Sequence, residues 1–146
     1  MTNKIHLKTS FNPRANRNVE DLNPSEIMYR ILKEGYQYID ITGPPIDIFC
    51  TGFFLYVESD VSLLLDSYLN LEDSLLEKES FKHFAFLGDG AVQIEATIDK
   101  IVVSVTYSCY PGLDVANLIT YTEKMTLQNY VYWWRSIVYD LLDLAG

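Results

Sequence analysis

The chain has 146 residues, of which 49% are hydrophobic and 14% aromatic. This length and this apolar content suit one folded domain, residues 1–146, and exclude a disordered or low-complexity protein. The 20 acidic and 11 basic residues give a net charge of −9, which disfavours direct binding of nucleic acid, since that requires a basic surface.

The first 22 residues are polar and irregular, and they predict an N-terminal arm with a short strand over residues 5–9. No secretory signal follows Met1, and no apolar run reaches the roughly 18 residues of a membrane span. We therefore expect a cytoplasmic protein that makes no contact with a membrane. In a reducing compartment, Cys50 and Cys109 are expected to be free thiols.

A short helix is predicted over residues 24–34. Asn23 is a suitable N-cap and Pro24 suits the first helical position. Apolar residues recur within it at intervals of three and four, and Gly35 stands where a helix usually ends.

The next part of the chain has the composition of β-structure. Residues 36–41 predict an extended segment, which Gly43-Pro44-Pro45 interrupts. A run rich in β-branched and aromatic residues over 46–58, a turn at Ser59-Asp60 and a return over 61–65 predict a β-hairpin.

A middle helix is predicted over residues 68–86, because leucines and phenylalanines recur there with helical spacing. Asn70 would cap it, and His83 would be exposed or half-buried on it. Gly88-Asp89-Gly90 predicts a turn.

Alternating apolar and polar residues over 91–97 and 101–108 predict the clearest hairpin of the chain, and a further strand is expected over 117–124. The fold class is therefore α+β. We expect one antiparallel sheet of about five to six strands built from hairpins, packed by a short N-terminal helix, a middle helix and a long C-terminal helix.

Thr126 begins the longest predicted helix, which carries a continuous apolar stripe: Leu127, Tyr130, Val131, Trp134, Ile137, Val138 and Leu141. Tyr132 projects from the other face and Trp133 lies near its border. This aromatic pair is either an exposed interaction site or is covered by another element, for instance the N-terminal arm.

No motif for catalysis, metal binding or cofactor binding stands out. His6 and His83, the only histidines, have no further ligand at metal-binding spacing, and a Cys–His catalytic pair through His83 is disfavoured. Phosphate-binding glycine motifs are absent, and paired carboxylates are expected by chance in so acidic a chain. We therefore expect a protein that is not an enzyme and has no metal or cofactor.

Charge is distributed unevenly along the chain. The segment from Glu34 to Glu77 contains nine acidic residues and no lysine or arginine, and aromatic residues are interleaved with the acids. It predicts either an acidic face kept for solubility or a docking surface for a basic protein, in which tyrosines supply contact area and carboxylates steer association. The candidate partner-binding residues are Asp40, Asp47, Glu58, Asp60, Asp66, Glu72, Asp73, Glu77, Tyr56 and Tyr68.

The order of predicted elements from Gly52 onward is a hairpin Gly52–Asp66, a polar segment with Leu71-Glu72-Asp73, a hairpin Val92–Ser108 and a closing helix Leu127–Leu144. This order, together with size and acidity, resembles small bacterial immunity proteins of contact-dependent growth inhibition and related polymorphic toxin systems. The resemblance implies a non-enzymatic cytoplasmic inhibitor of a basic toxin domain, often a nuclease.

Two other functions stay open. One is an adaptor that self-associates through the aromatic helix face at Trp133, so that a homo-oligomer is compatible with the sequence. The other is a small-ligand-binding domain with a pocket between helix and sheet, lined by tyrosine hydroxyls. For the inhibitor, reversing Asp60, Asp66 and Glu72 to lysine is expected to slow association and leave the fold unchanged.

Overall fold

The computed structural model describes residues 4–8, 12–42, 53–87, 92–109 and 119–146, and the protein is α+β in these ranges. Strands β1 to β7 span Lys4–Lys8, Tyr38–Thr42, Phe53–Tyr56, Ser80–Leu87, Val92–Asp99, Val102–Cys109 and Ile119–Thr126. Helices α1 to α3 span Pro24–Lys33, Val57–Glu77 and Leu127–Ala145, and Pro13–Asn16 is a 3-10 helix.

The described strands form two sheets. In the first, β1 pairs parallel with β2 and β2 pairs antiparallel with β3, whereas β4 to β7 form a four-stranded antiparallel meander. The single antiparallel sheet of five to six strands that we predicted is not found among the described strands. Helix α1 provides the long connection that a parallel pair requires, and helix α2 separates β3 from β4 along the chain.

Helix α2 is the largest departure from the predicted elements. One helix replaces the turn at Ser59-Asp60 and the returning strand over 61–65. It continues through the first part of the helix predicted over 68–86, which is confirmed for residues 68–77. Its buried side chains recur every three or four residues across that predicted boundary: Val57, Val61, Leu64, Tyr68 and Leu71. The predicted strand over 46–58 is confirmed only for Phe53–Tyr56, and Gly43-Pro44-Pro45 lies outside the described residues. The hairpin Gly52–Asp66, on which the family resemblance partly rested, is therefore wrong.

Strand β4 replaces the second half of the predicted middle helix. It pairs with β5 along its whole length, so its side chains alternate between two faces. Phe81 and His83 point towards the core, while Lys82 and Phe84 are exposed. The prediction of an exposed or half-buried helical His83 is therefore wrong, because the strand directs this side chain inward.

Several local predictions are confirmed. The Asn23 side chain caps α1 by accepting a hydrogen bond from the Glu26 N–H at 3.1 Å, and Gly35 has the left-handed φ of +96° that glycine tolerates best. Thr126 caps α3 in the same way, and the β5–β6 hairpin and β7 form as expected. The Gly88-Asp89-Gly90 turn and the side chains of both cysteines lie outside the described part of the chain.

The N-terminal segment is attached to the helices. Ala15 and Val19 are buried, the Asn12 N–H donates to the Ser136 hydroxyl at 2.9 Å, and the Val19 N–H donates to the Tyr68 hydroxyl at 3.0 Å. One cluster of buried apolar residues draws on both sheets and all three helices. The segment that the sequence predicts as an arm therefore closes part of the core.

Candidate functional site

The ten predicted partner-binding residues do not form one surface. Three are buried, with exposed fractions of 3% for Asp60, 0% for Tyr68 and 7% for Glu72, so they are unavailable for surface contacts. Asp47 lies outside the described residues. Asp40 lies on β2, and five residues are exposed at or near α2: Tyr56, Glu58, Asp66, Asp73 and Glu77.

Asp60 stabilises the start of α2. Tyr56 occupies the N-cap position and its own side chain does not cap the helix. The Asp60 carboxylate instead accepts a hydrogen bond from the Tyr56 N–H at 2.7 Å, and its negative charge lies close to the positive end of the helix dipole. Asp60 therefore has a structural role.

Glu72 connects α2 to α3 through a bidentate ion pair with Arg135. The Arg135 Nε lies 2.7 Å from one carboxylate oxygen of Glu72, and a terminal guanidinium nitrogen lies 3.1 Å from the other. Burial alone would lower the pKa of Arg135, but the hydrogen bonds to Glu72 raise it, so the arginine stays charged. Both groups are largely buried, and this acid is thereby neutralised.

Tyr68 lies beside this ion pair and anchors the N-terminal segment. Its hydroxyl donates to the Asn18 side chain at 2.7 Å and accepts from the Val19 N–H. Burial raises the pKa of Tyr68 to about 12, so the phenol stays protonated at neutral pH. The prediction that reversing Asp60, Asp66 and Glu72 leaves the fold unchanged is therefore no longer tenable, since two of these acids are built into the interior.

Asp40 lies beside Lys4 and His6 of the first strand. Its carboxylate lies 3.6 Å from the Lys4 Nζ and 3.4 Å from the His6 Nδ1, because the parallel register of β1 and β2 sets His6 opposite Asp40. Beside them, the Tyr38 and Tyr56 rings meet edge to face at 5.4 Å. This acid is thus separated from those of α2 and is partly neutralised.

Three of the acids that remain exposed form a stripe along α2, while Glu58 lies to one side of it. Asp66, Asp73 and Glu77 are spaced by seven and four residues, which places them on one face over a length of about 16 Å. We call these three residues the acidic face. None of them forms an ion pair with any residue that the structure describes. Leu63 and Leu76, which is 84% exposed, flank the stripe on opposite sides.

The acidic face is poorly placed for the stability of its own helix. Asp73 and Glu77 lie in the last turns of α2, near the negative end of the helix dipole, and the last turn has no basic residue. A carboxylate there costs about 0.3–1 kcal/mol at an exposed site. Helix stability therefore does not explain why these positions are acidic.

His83 was the best remaining candidate for a catalytic group, and its environment is structural. Its Nε2 lies 2.7 Å from the Ser67 carbonyl oxygen, which can only accept, so Nδ1 accepts from the Tyr130 hydroxyl at 2.6 Å. Burial lowers the pKa of His83 and keeps the imidazole neutral. With both ring nitrogens engaged inside the core, His83 holds α2, β4 and α3 together. The sequence around His83 gives no clear signal for this inward direction, because the adjacent Phe84 is apolar and yet exposed.

The aromatic pair of α3 is not an open surface. Trp133 is buried and packs edge to face against Trp134, with ring centroids 5.5 Å apart, and Tyr132 is half-buried. Of the two interpretations of this pair, coverage by other elements fits the position of Trp133.

The described residues contain no group of three or more histidine, cysteine or acidic side chains placed to hold a metal ion. None of the described helices combines the length and the apolar character needed to cross a membrane. Comparison with known proteins gives no match among family models, curated proteins or solved structures. The resemblance to immunity proteins therefore stays a prediction.

Proposed function

We propose that this protein is a non-enzymatic inhibitor that binds a basic protein partner, in the manner of immunity proteins that neutralise toxin domains, and that the acidic face of α2 is its contact surface. The observation that carries the proposal is that Asp66, Asp73 and Glu77 form one exposed stripe, and none of the three forms an ion pair with a described residue. The proposed partner is a basic toxin domain with nuclease activity.

The surroundings of the stripe support this function. The opposite side of α2 is packed into the core, so the helix presents its carboxylates from a fixed position. Leu63 and Leu76 add apolar contact area beside the charges. A cleft that binds phosphates is positively charged, and complementary charge raises association rates, to roughly 10⁸ M⁻¹s⁻¹ or more at low salt.

The position of Glu77 at the negative end of the α2 dipole also supports this function. Natural proteins commonly retain residues that reduce stability where function requires them. Glu77 fits that pattern, because it lies at the negative end of α2, and neither Asp73 nor Glu77 forms an ion pair with a described residue.

The test first identifies a toxin gene next to the gene of this protein, and then measures binding of its basic domain by biolayer interferometry. The variant Asp66→Lys/Asp73→Lys/Glu77→Lys is expected to slow association at least about tenfold at low salt, with a smaller difference at high salt. Its melting temperature is expected to equal or exceed that of the natural chain, because the lysines suit the C-terminal end of α2.

A matched control changes the net charge by the same amount elsewhere. Glu20→Lys/Glu95→Lys/Asp99→Lys alters three exposed acids outside α2. We expect a much smaller effect on association from this variant. If association slows equally in both variants, the effect comes from the net charge of the protein and not from the acidic face. Absence of binding at micromolar concentration and low salt would refute the proposal for that partner.

A further inference from the structure

An open cleft of about 480 Å³ lies where the C-terminal end of α2, the β5–β6 turn and the first residue of α3 meet. Its walls are apolar and comprise Leu75, Phe81, Ile98, Ile101 and Leu127. Ligand pockets for small molecules commonly measure about 300–1,000 Å³ and have walls of this kind. Tyrosines do not line it, so it is not the pocket that the sequence suggested.

The rim of the cleft is held by backbone hydrogen bonds on both sides. The Lys100 N–H donates to the Glu79 carbonyl oxygen at 2.8 Å, and the Leu127 N–H donates to the Ile101 carbonyl oxygen at 2.8 Å. The β5–β6 turn is thereby tied to β4 and to α3. Ile101 is 76% exposed in this fixed turn, so an apolar side chain is presented to solvent from a rigid support.

Two cations border these apolar walls. Lys78 and Lys100 line the cleft together with one acid, Glu79, and all three side chains are exposed. Neither lysine forms an ion pair with a described residue, although the chain has 20 acids against 11 basic residues. Lys78 follows the C-terminus of α2, where a cation compensates the helix dipole, but that explanation does not extend to Lys100 in the β5–β6 turn.

We propose that this cleft binds a small amphipathic anion, with a short acyl or aryl group against the apolar walls and a carboxylate or similar headgroup at Lys78 and Lys100. The lysines provide the charge complementarity and the side chains of Phe81, Ile98 and Leu127 provide the apolar contact. The cleft does not depend on the proposed inhibitor function. Leu75 lies on the side of α2 opposite the acidic face, and Leu127 belongs to α3, so Leu127→Trp alters the cleft without changing the acidic face.

In the experiment, the full chain is titrated with decanoate. Binding is measured by isothermal titration calorimetry and by NMR of the methyl groups. Decyltrimethylammonium, which has the same chain length and the opposite charge, is the control ligand. Saturable binding of decanoate is expected with shifts at the Ile98, Ile101 and Leu127 methyls. Because the protein carries a net charge of −9, nonspecific attraction would favour the cationic control instead.

Variants then distinguish binding of decanoate in the cleft from a nonspecific effect of the net charge. Lys78→Glu/Lys100→Glu is expected to weaken decanoate binding on the order of tenfold, and Leu127→Trp to weaken it by filling the cleft without a change of charge. The control Lys82→Glu/Lys124→Glu makes the same charge change at exposed positions on the outer sheet face and is expected to leave binding within about twofold.

Four outcomes would overturn the proposal. The first is no saturable binding of decanoate at millimolar concentration. The second is equal binding of the cationic control, and the third is an equal loss in both lysine variants. Because the methyl shifts report where decanoate binds, shifts confined to residues away from the cleft would also overturn it.

Discussion

At the scale of single residues, burial decides whether an ionisable side chain is available to a binding partner or is engaged inside the protein. Asp60 and Glu72 have the same charge as Asp66 and Glu77, but the first two are inside the protein and engaged, while the other two face solvent. Only the exposed pair is available to a partner. His83 shows the same effect for a base, because its desolvation disfavours the imidazolium.

His83 makes stability depend on pH. Burial holds its pKa below the ordinary value of about 6.5, so the unfolded chain binds more protons than the folded chain just below that pH. The free energy of unfolding is therefore expected to decrease as pH falls from about 7.5 towards 5.5, with a slope of up to about 1.4 kcal/mol per pH unit from this group.

Urea unfolding across this interval measures the slope, and NMR of the His83 ring follows its protonation directly. His6→Gln removes the exposed histidine, so that the slope measured in this variant has no contribution from His6. Burial raises the pKa of Asp140, which acts in the opposite direction at more acidic pH, and so the scan stops above that range. Protonation of the His83 ring in the folded state near pH 6.5 would contradict the prediction.

Trp134 is the largest side chain that is fully buried. Its replacement by alanine leaves a cavity among α3, β4 and their neighbours, and we expect Trp134→Ala to cost about 3–5 kcal/mol of unfolding free energy. Leu63→Ala, on the exposed side of α2, is the control and is expected to change stability by less than about 0.5 kcal/mol. Chemical denaturation measures both, and near-natural stability of Trp134→Ala would mean that this side chain does not fill the core.

At the scale of elements, the Glu72–Arg135 ion pair fixes how α2 sits against α3. Removing one partner leaves the other charge largely buried, so Glu72→Gln is expected to cost about 2–4 kcal/mol. The double variant Glu72→Leu/Arg135→Met is expected to cost less than the sum of its single changes, because no unpaired charge remains.

A double-mutant cycle by urea denaturation measures this coupling. The exposed Arg14–Asp143 pair, with a shortest N–O distance of 2.5 Å, serves as comparison, and Asp143→Asn is expected to leave stability unchanged within experimental error. Additive effects at Glu72 and Arg135 would show that the pair contributes no specific interaction.

At the scale of the whole molecule, one apolar cluster connects the two sheets through the helices, and the N-terminal segment is bonded to both α2 and α3. We therefore predict a single cooperative unfolding transition. Tryptophan fluorescence, which reports on α3, and hydrogen exchange of the β1–β3 amides should give the same midpoint in urea. Earlier exchange of β1–β3 would mean that this sheet unfolds as a separate unit.

The sequence by itself determined the features that neighbouring residues encode. The caps at Asn23 and Thr126, the β5–β6 hairpin and the stripe of α3 depend on short-range spacing, because a helix or strand repeats its contacts every few residues. The predicted turn at Ser59-Asp60 is wrong because serine and aspartate suit the first turn of a helix as well as a turn, so short-range sequence does not distinguish the two.

Only the tertiary structure decided which acids stay exposed, that the strands divide into two sheets, and that an apolar cleft lies beside Lys78 and Lys100. Glu72 and Arg135 are 63 positions apart, and Asp40 meets His6 across 34 positions. Such pairs depend on how whole helices and strands pack. The composition of one segment does not show which distant residue will lie next to it in the folded chain. The continuous acidic run from Glu34 to Glu77 was therefore visible in the sequence, while its reduction to one stripe on α2 was not.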